Sequence, residues 1–299
     1  MIFDEELKYL SLLDKILSQG DFRNDRTSVG AYSIFGHEMR FNLNNGFPLF
    51  TTKKVLWKTA FKEILWMISG STSLRELLKD GVKIWTDWPL KQYRAQTGHN
   101  ISQSDFERLI IDDDAFNLKW GDLGPIYGKQ WRKWVDRDGN EIDQIQNVID
   151  LLINNPSSRR ILWEGWNVGE IDKMALPPCH KHYQFFVNKS NNSLNSAMIQ
   201  RSVDCFLGLP FNIANLALIT HMLALHTGYV PGEIVWYGLD CHIYKNALDA
   251  VKEQLKRKPL DIPELLIKNK PNSFFEHKID DFEIVGYNPH PFIKAEVAV

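Results

Sequence analysis

Residues 174–228, MALPPCHKHYQFFVNKSNNSLNSAMIQRSVDCFLGLPFNIANLALITHMLALHTG, decide the fold. Two β-rich runs, 182–188 and 193–201, precede a long apolar helix predicted at about 211–227 and closed by Gly228. A further strand is predicted over 233–244 and an earlier one over 159–166. Working outward, 7–17 carry Leu7, Leu10, Leu13, Ile16 and Leu17 near helical spacing, with Gly20 as a stop. Residues 55–69 predict a largely buried helix, 145–154 a helix that Pro156 helps to end, and 31–43 a strand region. Residues 89–120, polar and built around an IIDDD run, read as a surface insertion or small subdomain. Strands and helices alternate irregularly, so the expectation is one α+β domain over 1–299, a mixed sheet layered with helices.

Bulk properties bound the function. A chain of 299 residues, 44% hydrophobic, is long enough to bury a large core. A net charge of −2 supplies no basic field for DNA or an acidic membrane, so anion binding must come from a few local arginines. Three cysteines argue against a disulfide scaffold. The acidic, amphipathic start lacks the pattern of a signal peptide, and no apolar stretch is expected to reach membrane-spanning length. A cytoplasmic protein is expected.

Three features carry candidate chemistry. Cys179 follows Pro177-Pro178 and precedes His180 at the start of a strand. On local grounds it reads as a nucleophile or as an ordinary core thiol, while Cys205 and Cys241 lie in apolar runs as buried thiols. Cys-His-x-His raises a metal site that no further Cys/His cluster completes. Arginines recur beside hydroxyls in Ser157-Ser158-Arg159-Arg160 and Arg201-Ser202, with Arg26 in RNDRTSVG, either for a phosphate monoester or as surface ion pairs. The Gly-rich turns at 121–128 and 207–212 are neither a dinucleotide fingerprint nor a P-loop.

Taken together and in order, RTSVGAYSIFGHEMRFNL, FPLFTTKKV, GDLGPIYGKQWRKW, NPSSRR, MALPPCH, QRSVDCFLGLPFNIA, DCHIY and the terminal GYNPHPFIKAEVAV closely resemble thymidylate synthases, from about residue 20 onward. The resemblance implies reductive methylation of dUMP to dTMP with 5,10-methylenetetrahydrofolate as co-substrate and no metal. It implies that Cys179 attacks C6 of the uracil ring, with Arg201 favouring the thiolate. Arg26, Arg201 and Ser202 of one subunit, with Arg159 and Arg160 of the other, are implied to hold the 5′-phosphate, which makes the enzyme an obligate homodimer. His242 and Tyr244 are implied for the sugar 3′-hydroxyl. Asn212 is implied for N3–H and O4 of the base, an amide matching uracil's adjacent donor and acceptor. Trp85, Trp88, Leu207, Gly208 and Phe211 resemble the folate wall, with Asp204 on the pterin. Glu63, Tyr127 and His180 resemble the group that organises water for proton transfer, and the tail with Ala298 resembles the segment that closes over the ligands. The 89–120 excursion matches a place where the family tolerates an insertion.

Several positions depart from the family pattern. Trp163-Glu164-Gly165 stands for a Val-Ser-Ala-like run, Ile199 and Leu216 replace tyrosines, Leu239 and Ser28 replace glycines, and Ala247 replaces a histidine. They are expected to flank the nucleotide site. Two other functions fit this scaffold: a dUMP 5-hydroxymethylase that delivers water instead of hydride, and a non-catalytic relative that binds nucleotide or RNA. Retention of Trp85, Trp88 and the EVAV tail favours reduction.

Overall fold

The computed structural model describes residues 1–24 and 27–298. Its centre is the Ser193–Asp204 strand, where buried Leu194, Ser196, Met198 and Gln200 alternate with half-buried Asn195, Ala197, Ile199 and Arg201. That period of two aims every second side chain at the core. Six strands pair in the order Asp21–Arg23, Ala31–Asn42, Val230–Tyr244, Ser193–Asp204, His180–Asn188 and Leu162–Glu164. All neighbours are antiparallel except Ser193–Asp204 with Val230–Tyr244, which run parallel because the helix Leu209–Thr227 carries the chain back between them. The fold is therefore α+β with a mixed sheet, as the irregular alternation predicts.

One row across the sheet shows how the core is filled. Trp163 faces Tyr183, Tyr183 faces Met198, Met198 faces Trp236, and Trp236 faces Met39. All five side chains are essentially inaccessible to solvent. The long helix packs on the strands at the centre of this sheet. Thirteen of its residues, from Leu209 to Ala224, are buried, so its sequence has no polar face to display. Pro210 sits in its first turn, where a missing N–H costs nothing, and Gly228 ends it at φ 82° with its N–H on Ala224 O. Contrary to the expectation for the sequence, this helix has the length and hydropathy of a membrane span, but 72% of that window is buried inside the protein.

Two departures from the family pattern, Trp163 and Leu216, are thus core positions. Trp163 packs on Phe185 at 4.8 Å, Tyr183 at 5.1 Å and Trp131 at 5.8 Å between ring centres. A Cβ at the neighbouring Gly165 would meet His180 O at 2.9 Å, so the strand end beside Cys179 has room only for glycine. Ser28 adopts φ 61°, the left-handed conformation natural to the glycine it replaces. Ile199 lies half-buried in the sheet, opposite Tyr237 and His182. The departures therefore do not all crowd the cleft: several refill the core.

The 89–120 segment consists mainly of helices, Asp87–Thr97, Gln103–Asp112 and Asp114–Trp120, whose Tyr93, Phe106, Phe116 and Trp120 pack together. Arg75 ties it down through the Ile110 and Asp113 carbonyls and Asp114 Oδ1.

Candidate active site

The stiff Pro177-Pro178 turn delivers Cys179 to the start of the His180–Asn188 strand. The backbone N–H groups of Cys179 and His180 donate to Tyr127 Oη at 2.6 and 3.2 Å. Arg201, on the adjacent strand, donates from Nε to Pro178 O (2.8 Å) and from Nη2 to Pro177 O (2.9 Å). The same Nη2 lies 4.0 Å from Cys179 Sγ. One guanidinium fork thus fixes the turn and sets a permanent cation beside the thiol. The Trp166 ring backs it, 5.0 Å from the guanidinium carbon.

Asn212 lies in the first turn of the long helix, facing this strand pair. Gln200 Nε2 donates to its Oδ1 at 2.8 Å, and Trp236 Nε1 donates to Gln200 Oε1 at 2.9 Å. The buried indole fixes the Gln200 amide, which fixes that of Asn212, leaving the Asn212 N–H₂ as donor. His180 shares a hydrogen bond with Tyr183 Oη at 2.9 Å and another with Asn212. Burial pulls the His180 imidazole down to about 4, so the ring is neutral near pH 7.

Glu63 comes from the Trp57–Ser69 helix and accepts from Trp85 Nε1 at 2.8 Å. Desolvation pushes its carboxyl up to about 7, opposed by that single hydrogen bond. Trp85 is 4% exposed and its ring lies 5.5 Å from Trp88 and 6.2 Å from Tyr127. The Trp88 indole N–H is buried with no partner among the described residues. Tyr127 therefore joins the two halves of the cleft: its ring meets Trp85, its oxygen the cysteine turn.

Asp204 closes the Arg201 strand and accepts through Oδ1 from the N–H groups of Phe206 (2.8 Å) and Leu207 (3.0 Å). That turn sets Leu207, Gly208 and Phe211, all partly exposed, at the helix entrance. Lys53 reaches the same turn from below: its ammonium donates to Phe206 O and sits 3.3 Å from the Phe206 ring centre. Burial draws Lys53 down to about 7, with Asp204 opposing.

The polar residues expected for phosphate and sugar divide into two groups. Ser202 pairs across the sheet with Asp240, and His242 Nδ1 lies 3.2 Å from Asp240 Oδ1 with the Tyr244 ring 5.0 Å away. Arg159 and Arg160 are exposed ahead of the Leu162–Glu164 edge strand. Arg26 lies outside the described residues. At the tail, Ala298 is buried and Asn246 Nδ2 donates to Glu296 O at 3.2 Å. Cys205 and Cys241 are fully buried thiols. No set of three or more His, Cys, Asp and Glu side chains among the described residues is arranged to hold a metal.

Sequence reasoning assigned no role to Gln200, Tyr183, Trp166 or Lys53. Gln200 and Lys53 stand inside motifs quoted for the resemblance, QRSVDCFLGLPFNIA and FPLFTTKKV, which was the available signal. Trp166 acts through Arg201, distant in sequence, and Tyr183 through His180, three residues away on a strand whose register shifts between His180 and His182.

A mixed sheet wrapped by helices, with a thiol, an arginine and an oriented carboxamide meeting at one cleft, defines the class as a single-domain α+β enzyme. The family model for thymidylate synthase matches residues 7–299. The thymidylate synthase of Zymomonas mobilis is 52% identical over 295 residues, covering 98% of this chain and 99% of the relative. That of Sinorhizobium fredii is 52% identical over 300 residues and 98% of each chain, and that of Rhizobium rhizogenes 51% over 307 residues and the whole of both. The chain belongs to the thymidylate synthase family.

Proposed function

We propose that this chain methylates dUMP to dTMP with 5,10-methylenetetrahydrofolate, through covalent attack of Cys179 on C6 of the uracil ring. The observation that carries the reading is Cys179 held between the Arg201 fork and Tyr127, with the Asn212 amide at the start of the long helix oriented by Gln200 of the neighbouring strand. Thiolate attack at C6 moves the C5–C6 electron pair to C5, which becomes the carbon nucleophile. Asn212 presents its N–H₂ to O4 and its carbonyl to N3–H, so negative charge pushed onto O4 is met by a donor already in place. C5 bonds the methylene carbon of the folate, whose nitrogen takes the displaced electron pair, and the C5 proton then passes to water organised by neutral His180 and by Glu63, the carboxyl of Glu63 near 7 suiting transfer in either direction. Loss of the thiolate from C6 restores the ring.

The folate supplies the one-carbon unit and the hydride. Its fit is supported by the Trp85–Trp88 wall, the unpartnered Trp88 indole N–H and the Asp204 turn, with Leu207, Gly208 and Phe211 at its edge. The tail, with Ala298 buried, is read as the segment that closes over the ligands and keeps water from the reacting carbon. Trp163 and Leu216 are core positions, which favours repacking over a changed reaction outcome.

The phosphate is read as held by Arg201, Ser202 and Arg26, joined by Arg159 and Arg160 of a second copy, with His242 and Tyr244 on the sugar. The outer face of the sheet is the surface read as meeting the second copy: Phe186 there is 65% exposed, and Arg159 and Arg160 are exposed just ahead of its edge strand. The cytoplasm remains the expected compartment. The test is incubation with dUMP and methylenetetrahydrofolate: a product heavier than dUMP by one CH₂, with one dihydrofolate per nucleotide, is expected. A hydroxymethyl product with the folate unoxidised would overturn methylation.

A further inference from the structure

We infer that Glu107, in the segment inserted at 89–120, is a positioning residue that clamps the folate wall by gripping the chain on both sides of Trp85. Glu107 lies on the Gln103–Asp112 helix and is 4% exposed, rare for a carboxylate without a task. Its Oε2 receives Lys83 Nζ at 2.5 Å, and its Oε1 receives Thr86 Oγ1 at 3.1 Å and Gln103 Nε2 at 2.8 Å. Lys83 and Thr86 bracket Trp85, whose indole N–H donates to Glu63 and whose ring meets Trp66, Trp88 and Tyr127. Thr86 also starts the Asp87–Thr97 helix, yet its side chain caps no backbone N–H there. A threonine at this position ordinarily caps its own helix, a contact worth about 1 kcal/mol. Here its fully buried hydroxyl serves Glu107 instead.

The consequence lies at the cleft. Trp85 is an aromatic plane whose tilt sets both a stacking surface and the direction of the N–H aimed at Glu63. With Glu107 in place, three donors from two segments converge on one carboxylate, and the Trp85 backbone is held from both ends. Without it, Lys83 relaxes into solvent and Thr86 loses its acceptor, so the plane is free to tilt. The insertion thus acts through Trp85 on the folate and not on the nucleotide. This inference rests on the proposed function, in which Trp85 is the folate wall.

The test compares wild type with Glu107→Ala, Glu107→Gln and Thr86→Val. Binding of tetrahydrofolate to the dUMP-saturated enzyme is followed by tryptophan quenching, and dUMP binding by calorimetry. Glu107→Ala and Thr86→Val are expected to weaken folate binding about tenfold with dUMP binding within about twofold, as a small misplacement at a stacking surface costs. Glu107→Gln keeps the acceptor for Thr86 and Gln103 and is expected to restore most of the loss. Unchanged folate binding in Glu107→Ala overturns the role, as does an equal loss for both ligands, which marks general loosening. The wild-type product assay is run alongside. An inactive wild type overturns the proposed function and this inference with it, whereas an active wild type with unaltered Glu107→Ala overturns only the inference.

Discussion

The phenol oxygen of Tyr127 accepts the backbone N–H of Cys179 at 2.6 Å, so the main chain of Cys179 is anchored to a helix 52 positions earlier in sequence. The same oxygen takes the N–H of His180, and the Tyr127 ring leans on Trp85. Burial and nearby Cys179 raise the phenol well above its ordinary range, so it stays a neutral hydroxyl.

Tyr127→Phe should therefore act on both rate and stability. One buried and one half-buried N–H group lose their acceptor, a cost of about 1–3 kcal/mol that thermal unfolding will read. The freed turn lets the thiol wander, so kcat should drop roughly tenfold to a hundredfold. A variant with wild-type kcat would show that the turn is held by the Arg201 fork alone.

Glu63 gives a pH prediction whose sign is fixed by burial. Its folded carboxyl is raised to about 7, so its stability contribution is complete below the ordinary carboxylate range and is lost as pH rises through 7. Glu63→Gln stays neutral throughout. It should melt above wild type at pH 8, with the gap closing toward pH 5, and its turnover should lose any acid limb near pH 7. Parallel melting curves across that range would contradict the desolvated carboxylate.

The Trp236–Gln200–Asn212 chain orients the amide proposed to read the base. Gln200→Leu removes the group that keeps Asn212 from flipping, and should relax the preference for dUMP over dCMP by roughly tenfold. Asn212→Asp exchanges the donor for an acceptor and should move preference toward dCMP. Competition between the two nucleotides, scored by kcat/KM, checks both, and unchanged selectivity would remove Asn212 from base reading.

Much of the fold was legible because it is written in local periodicity. The alternation in 193–201 and the apolar run ending at Gly228 give the centre of the sheet and its covering helix. The helices of 89–120 were less legible because their apolar residues, Tyr93, Phe106, Phe116 and Trp120, are few and spread among acids. The membrane-length helix was underrated because its burial depends on strands far away in sequence. At the site, Cys179, Arg201 and Asn212 stood in motifs that the family resemblance joined. The Gln200 relay and Lys53 under Phe206 were not legible, since each acts across the sheet or through a backbone carbonyl that no spacing rule names. Arg159 and Arg160 mark a different limit: both are exposed, and no hydrogen bond or ion pair holds either side chain among the described residues.

The covalent role of Cys179 is tested most directly by intact-protein mass spectrometry of enzyme quenched in acid during turnover of dUMP and methylenetetrahydrofolate. A mass gain equal to the nucleotide with or without the folate, mapped to the peptide containing Cys179 and absent from an inactive Cys179→Ala variant that still binds dUMP, is the predicted result. Turnover by Cys179→Ala, or an adduct mapped to Cys205 or Cys241, would contradict it.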